Sequence, residues 1–114
     1  MADEARAVTR FARVSPFKVR RVLNVIRGKG REEGLGALQF LPGRAAEVVR
    51  KVVQSAAANA ENNHDMERER LYVAKACADQ GPAFRRFRPG SRLRGHIHRR
   101  RTSHVTVVLQ ERER

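Results

Sequence analysis

Eight arginines, Arg85, Arg86, Arg88, Arg92, Arg94, Arg99, Arg100 and Arg101, fall within residues 80–110, a stretch that contains no Asp or Glu. The arginine guanidinium is a planar fork that matches phosphate oxygens and stacks on flat rings. Eight of them without a carboxylate point to phosphate recognition and away from acid–base chemistry. Phe84, Phe87, Leu93 and Ile97 interleave with them, and such side chains stack on unpaired bases or wedge into crevices of folded RNA. The whole chain carries 25 Lys and Arg against 12 Asp and Glu, a net charge of +13 in 114 residues. Residues 1–79 hold +5 of it and residues 80–110 hold +8. Self-repulsion on this scale opposes compaction and calls for a polyanionic partner, of which nucleic acid is the commonest. Lysine occurs only at Lys18, Lys29, Lys51 and Lys75. Codon bias explains that preference as well as phosphate chemistry does, but not where the charge sits.

Other residue types that do chemistry are sparse. His96 and His98 form a His-x-His pair, but no neighbouring carboxylate or thiol completes a metal site, so no metal is expected. Cys77 lies among alanines, which predicts a buried, inert thiol. Ser103 and His104 are adjacent, so on a strand their side chains face opposite ways, against a catalytic triad. Arg27-Gly28-Lys29-Gly30 lacks the spacing of a phosphate-binding loop. The expectation is a protein that is not an enzyme and needs no cofactor. A single cysteine excludes an intramolecular disulfide and suits a reducing compartment such as the cytoplasm. The longest run free of charged residues is 34–43, too short to span a bilayer. No membrane partner is expected, and Met1-Ala2-Asp3-Glu4 does not begin a secretory signal.

The elements that would position these residues read as one small α+β domain. Residues 5–14 suggest a strand through Val8, Phe11 and Val14. Ser15-Pro16 marks a helix start, with Ser as N-cap and Pro in the first turn. Val19, Val22, Leu23 and Ile26 then form one apolar stripe, and Gly28 supplies a left-handed stop. Lys18, Arg20, Arg21 and Arg27 lie off that stripe. A second helix is predicted from Arg31, with Glu32 and Glu33 in its first turn and Leu35, Leu38 and Leu41 on its apolar side. A third, over residues 44–62, aligns Ala45, Val48, Val49, Val52, Ala56 and Ala60. Leu71–Gln80 and Ser103–Glu111 read as strands, the second with Val105, Val107 and Leu109 on one face.

Residues 81–101 hold too few apolar residues for a core and form too long a segment for an ordinary loop. Two readings remain at this level. One is a β-hairpin arm reaching roughly 33 Å past the body, at about 3.3 Å per residue, with Gly90 or Gly95 near its turn. The other is a disordered basic loop that binds any polyanion.

The ordered set of local motifs resembles the bacterial large-subunit ribosomal protein L22 family over almost the full length. Val14-Ser15-Pro16-Phe17-Lys18-Val19-Arg20 with Ile26-Arg27-Gly28-Lys29 looks like the family's first helix. Residues 55–64, ending Asn59-Ala60-Glu61-Asn62-Asn63-His64, look like the end of its long helix. Asp79-Gln80-Gly81-Pro82 and Arg101-Thr102-Ser103-His104-Val105-Thr106-Val107 resemble the two edges of its hairpin. The resemblance implies three helices packed on a small antiparallel sheet, with a long extended β-hairpin arm. The globular body would be residues 1–80 and 102–114, and the arm residues 81–101, in a single domain. It also implies a structural constituent of the large ribosomal subunit that binds several domains of 23S rRNA and helps early subunit assembly. The hairpin would line the nascent-peptide exit tunnel.

Expected partners are 23S rRNA, neighbouring large-subunit proteins and the nascent peptide, with no homo-oligomer. The body's implied rRNA contacts are Arg13, Ser15, Lys18, Arg20, Arg21 and Lys29, then Asn59, Asn62, Asn63 and His64. The arm adds its eight arginines with His96 and His98, and the returning edge adds Thr102, Ser103 and His104. Arg86, Phe87, Arg88, Pro89, Gly90, Ser91, Arg92, Leu93 and Arg94 would form the tunnel-lining tip. Gln80 stands where the family usually has Glu, and Leu93-Arg94-Gly95 departs from its usual Gly-Arg-Ala. A non-ribosomal nucleic-acid chaperone or compacting protein shares the charge but would not require these motifs in order.

Overall fold

The computed structural model describes residues 4–81, 84–89 and 95–112. Strand β1 (Ala5–Ala12) leads into helices α1 (Pro16–Ile26), α2 (Arg31–Gln39) and α3 (Arg44–His64). A single 3₁₀ turn (Arg68–Arg70) precedes strands β2 (Leu71–Gln80), β3 (Phe84–Pro89), β4 (Gly95–Arg100) and β5 (Ser103–Glu111). The order β1-β5-β2 makes an antiparallel three-stranded sheet, and β3 and β4 pair as a separate antiparallel ribbon. This is the α+β architecture expected from the sequence.

Helix α1 forms where the stripe predicts it. Val19, Leu23 and Ile26 are fully buried, and Val22 packs partly against the same core. Ser15 occupies the N-cap position, but its side chain makes no capping hydrogen bond. Gly28, at φ +79°, supplies the left-handed exit. Its N–H donates to Val73 O while Val73 N–H donates to Lys29 O, which ties the end of α1 to β2. Helix α3 runs two residues past its predicted end before Asp65 turns left-handed. Val49, Val52, Val53, Ala56 and Ala60 form its buried face, against β1 and β5. On the central strand Val105, Val107 and Leu109 are fully buried, as their alternation predicts.

The two outer strands correct the sequence reading. Between Thr9 and Ala12 strand β1 uses one residue more than β5 opposite it, and between Val73 and Lys75 strand β2 does the same. A bulge of this kind moves every later side chain to the other face. Before the bulge Ala5 and Ala7 face the core and leave Val8 on the exposed side; after it Ala12 is buried and Phe11 exposed, so neither Val8 nor Phe11 contributes to the core. In β2 the phase set by Leu71 and Val73 would bury Cys77, but after the bulge Ala76 and Ala78 turn inward instead. Cys77 is exposed, not buried as its alanine neighbours suggested.

Gly81 and Thr102 mark the root of the ribbon, where Gly81 N–H donates to Thr102 O at 2.9 Å. A Cβ on Gly81 would meet Thr102 Oγ1 at 2.5 Å and the His104 ring at 3.3 Å. Gly81→Ala should therefore overpack the root and lower stability by about 1–3 kcal/mol, read as a fall in melting temperature. An unchanged melt would mean that the root yields freely. The radius of gyration is 17.1 Å and the long axis is 66 Å, whereas a compact domain of this length would have a radius near ~13 Å.

Candidate nucleic-acid interface

Strands β3 and β4 run the predicted arm out as a ladder from Phe84 opposite Arg100 to Pro89 opposite Gly95. Between these ends Arg85 stands opposite Arg99, Arg86 opposite His98, Phe87 opposite Ile97, and Arg88 opposite His96. Like charges directly opposite destabilise a strand pair, and a lone two-stranded ribbon is marginal in water. A polyanion along the ribbon relieves the repulsion. The tip positions Gly90, Ser91, Arg92, Leu93 and Arg94 lie outside the described residues. Arg101, at the root, is exposed.

In the body, four expected contacts line one groove: Arg13, Ser15, Lys18 and Arg21. The groove has a volume of about 450 Å³ and runs from the start of α1 to the α2–α3 junction at Pro42 and Gly43. Arg44, in the first turn of α3, also lines it. The sequence reading does not single out Arg44; its only signal is its place directly after the Pro42-Gly43 stop.

Other expected contacts are engaged within the protein. Arg20 donates through Nε and Nη2 to Ala78 O, at 3.1 and 2.9 Å. Arg27 makes the same fork onto Ala76 O, at 3.1 and 2.7 Å. The helical pattern alone puts both on a face pointing away from the core. Strand β2 is an edge of the sheet, so its outward carbonyls need partners, and two arginines of the adjacent helix supply them. Arg20 also lies over the exposed Phe17 ring, 5.7 Å from its centroid.

Asn59 Nδ2 donates to Arg6 O of β1 at 3.0 Å, while Asn62, Asn63 and His64 are exposed at the end of α3. Lys29 is half-buried. Thr102 and Ser103 are buried, at 1% and 0% exposure, which turns their side chains inward. His104 Nδ1 accepts the Phe11 N–H at 3.1 Å, and the two rings meet edge to face at 5.0 Å. That contact holds Phe11 in its left-handed conformation beside the β1 bulge. Among the described residues no cluster of His, Cys, Asp and Glu is built to hold a metal ion. No helix among them is long and apolar enough to cross a membrane.

Residues 7–110 match the family model described as ribosomal protein L22p/L17e. The chain is 56% identical over 110 residues to the large ribosomal subunit protein uL22 of Thermoanaerobacter sp. (strain X514), covering 96% of this chain and 99% of the relative. It is 52% identical over 110 residues to the protein of the same name from Carboxydothermus hydrogenoformans, covering 96% and 97%. A third relative of that name, from Pelotomaculum thermopropionicum, is 49% identical over the same length and shares.

Proposed function

The chain belongs to the ribosomal protein L22p/L17e family, and from that premise we propose that it binds 23S rRNA, supports early assembly of the large subunit and lines the nascent-peptide tunnel with its arm. It is a large-subunit ribosomal protein with a structural role, not an enzyme. Its place is the cytoplasm, within that subunit, beside other large-subunit proteins. Membership removes the reason to favour a free-standing nucleic-acid chaperone.

The carrying observation is the β3–β4 ladder, in which arginine pairs with arginine and histidine on a ribbon that contains no acid. The ladder supports the division into a body, residues 1–80 and 102–114, and an arm, residues 81–101. The body keeps its own core, and the arm depends on a counter-charge. Surrounded by phosphates, the ribbon is neutralised along its length. At its far end residues 86–94 would face the tunnel and the peptide within it. Sedimentation of a cell lysate through sucrose tests this reading. The protein should travel with large subunits at moderate salt, and recovery mainly at the top of the gradient would overturn it.

A further inference from the structure

We propose that His104 is a proton-sensitive clasp: as a neutral ring it locks the β1 bulge to the root of the arm, and a proton on Nδ1 opens it. The clasp is a property of the protein alone and needs no bound RNA, so its test is separate from that of the function proposed above.

Four observations carry it. First, Arg10 and Phe11 together stand opposite the single residue His104, between the Thr9–Val105 and Ala12–Ser103 pairs. Secondly, Phe11 has φ +57°, a left-handed conformation that a bulky side chain takes only with outside support. His104 gives that support, since its Nδ1 accepts the Phe11 N–H at 3.1 Å and the two rings meet edge to face at 5.0 Å. Thirdly, only an unprotonated Nδ1 can accept, because both nitrogens of the imidazolium are donors. A proton there would set donor against donor at the bulge. Fourthly, the same half-buried ring borders the arm. A Cβ built on Gly81 would lie 3.3 Å from Nε2 and 3.4 Å from Cε1, and Gly81 N–H donates to Thr102 O at the root.

The charged and titratable groups around the ring come from each neighbouring element. Arg10 shares the bulge, Asp79 is the cross-strand partner on β2, Cys77 precedes it by two residues, and Arg101 sits at the root. None of them is joined to the ring by a hydrogen bond or an ion pair, so the Phe11 amide reads the state of Nδ1. The clasp is closed above the pH at which the ring takes up a proton and open below it. Opening frees the bulge and loosens the root, so the arm is no longer held at a fixed angle to the body.

The test follows amide hydrogen exchange of the free full-length protein by NMR, corrected for the intrinsic effect of pH, while the His104 ring signals are titrated in the same samples. The wild type is compared with His104→Asn, whose Oδ1 accepts near the place of Nδ1 at every pH, and with His104→Phe, which keeps a ring and has no acceptor. In the wild type the Phe11 and Gly81 amides should exchange about 2–10-fold faster once the ring is protonated, the factor that one neutral hydrogen bond commands. His104→Asn should keep the Phe11 amide slow at every pH, and His104→Phe should leave it fast at every pH. The amides of Val52 and Val53, buried in α3, should not respond. Phe11 exchange that ignores the titration of the ring would overturn the proposal. So would the same pH response in His104→Asn, which would assign it to another group. A response at Phe11 without one at Gly81 would leave a bulge lock unconnected to the arm, and acceleration that includes Val52 and Val53 would show a general loss of stability; either result overturns the clasp. If His104→Phe melts too low to measure, the wild type against His104→Asn decides.

Discussion

A chain in which residues 85–99 are replaced by a two-residue Asn-Gly turn should keep the helical circular dichroism of the intact protein and lose most of its salt-dependent hold on rRNA. Phe84 and Arg100 are cross-strand partners, so they are natural ends to join, and Asn-Gly suits a tight hairpin turn. Among the residues whose burial is described, the core comes from β1, Val14, the three helices, the Met66 turn, β2 and β5, a set large enough to hold a body together. The body should therefore fold without it. The deletion removes Arg85, Arg86, Arg88, Arg92, Arg94 and Arg99. At about 0.7–0.9 per phosphate neutralised, six contacts correspond to a slope change of about four to five. In cells the shortened protein should be under-represented in mature large subunits relative to the intact chain. Loss of the helical signal would show that the ribbon stabilises the body. An unchanged salt slope would show that its arginines do not sit at phosphates.

The body's framework was legible wherever a single period runs unbroken. Val19, Leu23 and Ile26 recur at helical spacing, and Val105, Val107 and Leu109 alternate without interruption, so both buried faces follow from the sequence. Phe11 and Cys77 were misread for one reason. Each lies at or beyond a bulge that adds one residue to an outer strand, and no residue type at Thr9–Ala12 or around Ala74 announces the change of phase. The charge of the arm was legible because it lies in one acid-free stretch. The division of labour among the body's arginines was not. Arg20 and Arg21 are neighbours in sequence, yet one forks onto the Ala78 carbonyl and the other lines an open groove. That difference depends on which strand lies beside α1 and on where α3 begins, both consequences of tertiary packing. The same limit hid Arg44, which lines the same groove as Arg21 only because the α2–α3 junction lies beside α1.

Leu23→Ala should be the most damaging single substitution in the body, and its effect should be masked in the assembled subunit. Leu23 is fully buried in α1, the helix that packs on β2, α2 and α3 at once. A leucine held by so many elements leaves a cavity that cannot readily collapse, and such truncations cost about 3–5 kcal/mol. A small domain has only about 5–15 kcal/mol in total, so the free protein should melt some 10–20 °C lower. The loss is not confined to the core. Helix α1 presents Lys18 and Arg21 to the groove and Arg20 and Arg27 to the β2 edge, so loosening its apolar side blurs both. RNA that binds only the folded form restores stability by mass action, increasingly so the more it exceeds its dissociation constant. The variant should thus aggregate or be degraded when made in excess of rRNA, yet be retained once incorporated. Differential scanning of the free protein, set beside its half-life in free and subunit-bound pools, measures both effects. A variant that melts within a few degrees of the wild type would show that the α1 interface repacks around the missing side chain. Equal half-lives in the two pools would show that RNA contributes little to holding the body folded.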